Sequence, residues 1–228
     1  MIRSARNCAA IALLGIVISG CATVKPKDYS VFRAEDPRSI LVVPVLNNSA
    51  SVTAPDYFLS TVSRPFAERG YYVFPANMVK GLLEQNGLAD AALVHNAAPQ
   101  RLDALFGCSA VLLITIEKWE SKYVILATTT TVQFNYVLKS CKTGATLWQE
   151  DRSMEYSPQA NSGGGNPLAA LIAQAIIAAL EKAEPNYMPL TQQVNLLAAS
   201  TVGQGLPAGP YLDAKYHKDM AEFPAASN

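Results

Sequence analysis

Ser39-Ile40-Leu41-Val42-Val43-Pro44-Val45-Leu46 is a nearly unbroken apolar run, rich in β-branched residues and without polar alternation. Such a run suits a strand buried on both faces, as strands of a parallel sheet are. Asn47 to Thr53 is polar and reads as a loop. From Pro55 to Arg69 the apolar residues Phe58, Leu59, Val62 and Phe66 recur at helical spacing. Pro65 inside this stretch lacks an N–H and predicts a kink or a split. Gly70 supplies the stop, because glycine accepts the left-handed conformation that ends a helix. Tyr71 to Pro75 (YYVFP) reads as a second strand. A strand, a helix and a strand in this order imply a right-handed parallel crossover.

Downstream, Asn77 is placed to cap a helix with Val79, Leu82 and Leu83 on its core face, ending near Gly87. Residues 98–106 predict a short helix that turns Leu102, Leu105 and Phe106 inward and stops at Gly107. A third buried strand starts at Ala110 (AVLLITI) and extends to residue 118. The pattern then changes to strict alternation. Val124, Leu126, Thr128, Thr130, Val132, Phe134, Tyr136 and Leu138 share one face of a long strand. A turn at Lys142-Thr143-Gly144 returns the chain into a strand over residues 145–156, which makes a hairpin. Residues 157–166 (SPQANSGGGN) read as a loop, with Asn166 as cap and Pro167 as the first residue of a helix. That helix, 167–183, is apolar nearly all round, so it is buried in its own core or against a second copy. Residues 190–199 predict a last helix. The glycine- and proline-rich end reads as a tail laid over the domain or disordered.

Upstream, Arg3 and Arg6 precede an apolar stretch of about ten residues, Ala9 to Ile18. This is short of the roughly 20 residues that span a bilayer core and fits a secretory signal. Ile18-Ser19-Gly20-Cys21 follows and resembles the bacterial lipobox. In signals of that kind the cysteine thiol takes a diacylglyceryl group. The chain is then cut between Gly20 and Cys21, and the new amine is acylated, with palmitate as the expected chain. Three chains anchor firmly, since each buried CH₂ contributes about 0.8 kcal/mol and stable anchoring needs two chains or more. Ala22 rather than an aspartate follows the cysteine, which by analogy favours the outer membrane. The chain thus divides into a signal (1–20), a lipidated tether (21–37), an α/β domain (38–200) and a C-terminal tail (201–228).

Lys and Arg total 18 and so do Asp and Glu, so the basic footprint of a nucleic-acid binder is missing. Of four cysteines, Cys8 leaves with the signal and Cys21 is the anchor. Cys108 and Cys141 remain in an oxidising compartment, a setting that favours pairing over two separately buried thiols. A loop of about 33 residues closed this way would add roughly 3–4 kcal/mol; spacing alone does not decide the pairing.

Little in the chain points to catalysis. The two histidines, His95 and His217, are far apart, and neither a CxxC nor an HxxH spacing occurs, so no metal or cofactor is expected. The Ser-Gly-Gly-Gly-Asn-Pro turn lacks the Gly-Lys-Ser/Thr ending of a phosphate loop, and no G-x-S-x-G elbow is present. Glu117, Glu120, Glu150 and Asp151 read as solvated residues near strand ends. Trp119 and Trp148 are expected to pack near one another across the strands. The protein is therefore expected not to be an enzyme.

The motifs SILVVPVLNNS, AERGYYVFP, VKGLLEQNGL, LDALFGCSAVLLITIEKW, GATLW and GLPAGPY, taken in order behind the lipobox, resemble a family of uncharacterised bacterial lipoproteins that includes a neisserial surface antigen. More distantly, VVPVLN, RGYYVFP, LLEQ and the AVLL strand are similar to the periplasmic domain of curli-secretion-type lipoproteins. They are also similar to lipoproteins that activate peptidoglycan synthases and to the N-terminal domain of the Tol-Pal propeller protein. The resemblance implies a single α/β domain with a mixed sheet, parallel β-α-β units followed by an antiparallel meander, packed by helices. It implies a non-enzymatic envelope factor with protein partners, an accessory to a curli-type secretion lipoprotein or an activator of a peptidoglycan synthase. Homo-oligomerisation is the expectation that follows from helix 167–183.

Overall fold

The computed structural model describes residues 24–124, 127–157 and 187–225. The elements are α1 (Ser30–Glu35), β1 (Ser39–Val42), β2 (Leu46–Asn47), α2 (Ala54–Glu68), β3 (Tyr72–Val73), α3 (Ala76–Gln85), α4 (Ala91–Asn96), α5 (Pro99–Phe106), β4 (Ala110–Val124), β5 (Ala127–Ser140), β6 (Thr146–Tyr156) and α6 (Met188–Ser200). They form one α/β domain built on a mixed sheet of order β3-β1-β4-β5-β6, with β2 also paired to β4. β1 runs parallel to β3 and β4, while β4, β5 and β6 are antiparallel neighbours. The parallel units followed by a meander are those expected from sequence.

The apolar run at 39–46 is not one strand. Pro44 has no N–H to give to the ladder, so β1 ends at Val42, and β2 re-forms at Leu46 on the same partner strand. Pro65 does not split α2, which continues to Glu68. Pro65 costs α2 the one backbone bond its N–H would have given to the Thr61 carbonyl, and the helix runs on past it. Asn77 is not a cap: α3 begins at Ala76 behind Pro75, without a side-chain hydrogen bond. The predicted long strand from Val124 is divided as well. β4 continues to Val124, and β5 starts only at Ala127, in antiparallel register with it.

Alternation sorts the core into two layers. Ile40, Val42, Ala110, Leu112, Ile114 and Ile116 face α1, α2 and α6. Leu41, Val43, Val111 and Leu113 face α3, α4 and α5 together with Cys108 and Cys141. On β5 only one face is deeply buried, with Thr130, Val132, Phe134, Tyr136 and Leu138 inward. A bulge between Ile116 and Lys118 shifts the register, so that odd-numbered Trp119 joins even-numbered Ile116 on the same layer. A second irregularity beside Leu138 buries both Leu147 and Trp148 in that layer. The Cys108 and Cys141 sulfurs are joined, with Cα atoms 5.9 Å apart.

Residues 27–36, within the stretch read as a tether, pack on the domain. Tyr29 and Phe32 are buried in the main core, and the Tyr29 hydroxyl donates to the Gly205 carbonyl at 2.6 Å. Residues 201–225 also lie against the domain, with Leu206 and Phe223 fully buried. At one crossing, a Cβ on Gly70 would stand 2.7 Å from Leu212. A Cβ on Gly209 would stand closer still to the Gly70 carbonyl. Glycine is needed at both positions for two backbones to touch.

Candidate functional site

A buried ion cluster joins the two ends of the chain. Arg33 of α1 donates to Asp219 Oδ1 at 2.7 Å and to the Phe223 carbonyl at 3.2 Å. Asp219 Oδ2 accepts the Ala208 N–H at 2.6 Å and lies 3.8 Å from the Arg69 guanidinium. Arg69 also donates to the Leu206 carbonyl and lies over the Phe223 ring. All three ionic side chains are largely buried. Their opposite charges and hydrogen bonds offset the cost of desolvation. Nothing in the sequence around residues 33, 69 and 219 signals this, because the contact exists only after folding.

Glu150 belongs to a second such cluster. It points from β6 to the same layer as Trp148, beneath residues 24–27. There it pairs with Lys27 and, at 2.7 Å, with Arg152. It is buried rather than solvated at a strand end, as the sequence suggested. Asp151, one residue on, faces out and accepts from Asn135. Glu117 sits on the bulge and accepts from Asn48, and Glu120 pairs with Lys122. The four acids therefore do not converge.

Among the described residues, three open depressions stand out. One, of about 360 Å³, runs between α2 and α6 and is lined by Ser60, Arg64, Glu68, Gln192, Gln193 and Leu196. Its floor reaches Thr61, which belongs to a buried chain of hydrogen bonds. In that chain the Tyr136 hydroxyl donates to Asn195 Oδ1 at 2.6 Å, and Asn195 Nδ2 donates to Thr61 Oγ1 at 3.0 Å. Burial raises the Tyr136 phenol well above its usual range, so it stays a donor. The i, i+4 pattern of Leu190, Thr191, Val194, Asn195 and Ala198 in α6 is the one sequence signal that places Asn195 on the inner face. A second depression, of about 450 Å³, lies between Asp56 of α2 and Lys80 of α3. The third, of about 700 Å³, is lined by Val24, Pro26, Arg152, Val202, Gln204 and Ala221.

The remaining candidates scatter. His95 contacts the Pro44 carbonyl at 3.0 Å, and burial pushes its imidazole pKa down. His217 lies 3.5 Å from Asp36 near the surface. Among the described residues, no group of three His, Cys, Asp or Glu side chains is placed to hold a metal ion. No helix among them is long and apolar enough to cross a membrane. Trp119 and Trp148 do not pair across strands. Their β5 partners, Val132 and Leu138, are six residues apart, which is roughly 20 Å along a strand. Trp119 stacks on Tyr187 instead, and Trp148 packs on Phe66 and Tyr136 and donates to the Gln204 carbonyl. The Gly20-Cys21 bond, the Ser-Gly-Gly-Gly turn and helix 167–183 lie outside the described residues.

Among solved structures, the fold is similar to that of a bacterial lipoprotein. The chain belongs to the family described as "Putative lipoprotein GNA1162-like", whose model matches residues 27–211. It is 40% identical over 151 residues to the Neisseria meningitidis lipoprotein NMB1124/NMB1162, covering 65% of this chain and 70% of that protein. The crystal structure of lipoprotein GNA1162 from the same organism matches with a TM-score of 0.53 at 35% identity, over 62% of this chain and 96% of that one. A PelC dodecamer from Paraburkholderia phytofirmans matches at 15% identity with a TM-score of 0.39, over 74% of this chain and 95% of that one.

Proposed function

We propose that the protein is anchored in the outer membrane through acyl chains on Cys21 and serves there as a non-enzymatic binding or assembly factor for other envelope proteins. The observation that carries this reading is family membership joined to the groove between α2 and α6. The groove's exposed rim offers the amides of Gln192 and Gln193, the Arg64–Glu68 ion pair and the apolar Leu196. Amide, guanidinium and aliphatic groups on an open, helix-walled groove suit recognition of a protein surface. The partner we favour is a curli-type secretion lipoprotein, and a peptidoglycan synthase is the alternative. The likeness to the N-terminal domain of the Tol-Pal propeller protein enters only as a proposed likeness of fold.

In-cell photo-crosslinking from Gln192 of the lipidated protein, with Glu84 on α3 as the control position, tests the reading. Capture of a curli-type lipoprotein at Gln192 alone supports the secretion role, and capture of a glycan synthase supports the activator role. Equal or no capture at the two positions contradicts a binding role for this groove.

A further inference from the structure

The path of the chain from Cys21 to the domain is very short. Lys25 is already held, because Gln204 Nε2 donates to its carbonyl at 2.8 Å. The Lys27 N–H donates to the Gly203 carbonyl at 2.8 Å, and its ammonium reaches Glu150 and the Gln149 carbonyl. Pro26 packs directly on Gly203, where an added Cβ would stand 3.2 Å from it. Four residues from Cys21 to Lys25 span at most about 14 Å even when fully extended. A folded domain of this length has a radius of gyration of roughly 16 Å. The leash is therefore shorter than the body it holds, and the face it leaves from stays within about 14 Å of whatever surface holds Cys21.

The side chains on that face fit such a contact. Val24 is 75% exposed and Val202 63% exposed, and both line the same open depression with Pro26 and Ala221. Two large aliphatic side chains left in water beside an anchor point are unfavourable alone, and each gains by entering a bilayer interface. Of the two acids lining this depression, Glu150 is paired with Lys27 and Arg152, while Glu222 is exposed at its edge.

Resting on the reading that Cys21 is acylated, we infer that the face formed by Val24, Pro26, Val202 and Ala221 lies directly on the lipid surface. The domain is thus held flat on the membrane in one orientation, not carried above it on a free tether. That orientation leaves α3 and α4, on the other layer of the sheet, as positions for comparison.

The full lipidated chain with Val202→Cys, and separately with Ala221→Cys, is labelled with an environment-sensitive fluorophore and reconstituted into phosphatidylethanolamine–phosphatidylglycerol vesicles. Glu84→Cys on α3 is the reference. Spin-labelled lipid is expected to quench the labels at positions 202 and 221 at least three-fold more than the label at 84, with a blue-shifted emission at both. Equal quenching at all three positions in vesicles that still carry the protein overturns the apposed face while leaving the anchor intact. The same samples are checked for flotation with the vesicles and for the mass of the N-terminal peptide. A chain without acyl groups on Cys21 overturns the anchor and the inference together.

Discussion

The Tyr136 hydroxyl donates to Asn195 Oδ1 at 2.6 Å with both residues fully buried, so β5 and α6 are joined by a polar bond in the middle of an apolar layer. Asn195 extends the bond to Thr61 of α2. Asn195→Ala should leave the Tyr136 hydroxyl without an acceptor and Thr61 without its amide donor, at a cost of about 1–3 kcal/mol for each buried polar group stranded. Tyr136→Phe removes one end only and should cost about 1 kcal/mol. Urea unfolding measures both, and an Asn195→Ala midpoint equal to wild type would refute the role given to this bond.

Asp219 holds Arg33, Arg69 and the Ala208 N–H together. Removing its charge leaves two buried guanidiniums facing each other, and breaking such a pair typically costs about 3–5 kcal/mol. Asp219→Ala should therefore lower stability by an amount of that order and loosen residues 206–223. Limited proteolysis read by mass spectrometry should show new cuts in that segment before any in the sheet. Uniform protection would contradict the assignment.

Gly209 and Gly81 make a contrasting pair. A Cβ at residue 209 collides with the Gly70 backbone, whereas a Cβ at residue 81 on α3 meets nothing within 4 Å. Gly209→Ala should destabilise by about 1–3 kcal/mol, as overpacking does. Gly81→Ala should stabilise by about 0.5–1 kcal/mol through helix propensity. Thermal unfolding of the two variants should shift the midpoint in opposite directions.

His95 titrates below its ordinary 6.5 because burial disfavours the imidazolium, against a smaller opposing effect of the Pro44 carbonyl. The unfolded chain thus takes up the proton first as pH falls. The stability linked to His95 is fully present above pH 6.5 and is lost as pH falls from there toward the lower folded pKa. Urea midpoints of wild type should decline over that window more steeply than those of His95→Gln. Parallel declines would show that His95 does not contribute.

The sheet was legible because its pattern is local. The double-sided run at Ile40–Val43 and the alternation through Val132, Phe134, Tyr136 and Leu138 each report their own burial. Helices with a clear apolar stripe, α2, α3 and α5, could be placed for the same reason. The break at Pro44 was missed because a two-residue strand resuming on the same partner leaves no periodic trace. α1 was hidden in polar sequence, with Phe32 as its one buried residue and the buried Tyr29 just ahead of it. The short α4 was equally hard to see, although Asp90 caps it by accepting the Ala92 N–H. The ion clusters were illegible in principle: Arg33, Arg69 and Asp219 are ordinary surface residue types until the chain ends meet. Of the candidate surface, α2 and α6 were foreseen as helices, but nothing in either segment alone indicates that a groove opens between them.

In the proposed function, an acylated Cys21 holds the domain at the outer membrane. Intact mass of the N-terminal peptide from protein isolated in separated membrane fractions tests this most directly. The predicted result is a peptide beginning at Cys21, heavier by one diacylglyceryl and one acyl group and recovered at outer-membrane density. An unmodified Cys21, with the chain free in the soluble fraction, would contradict it.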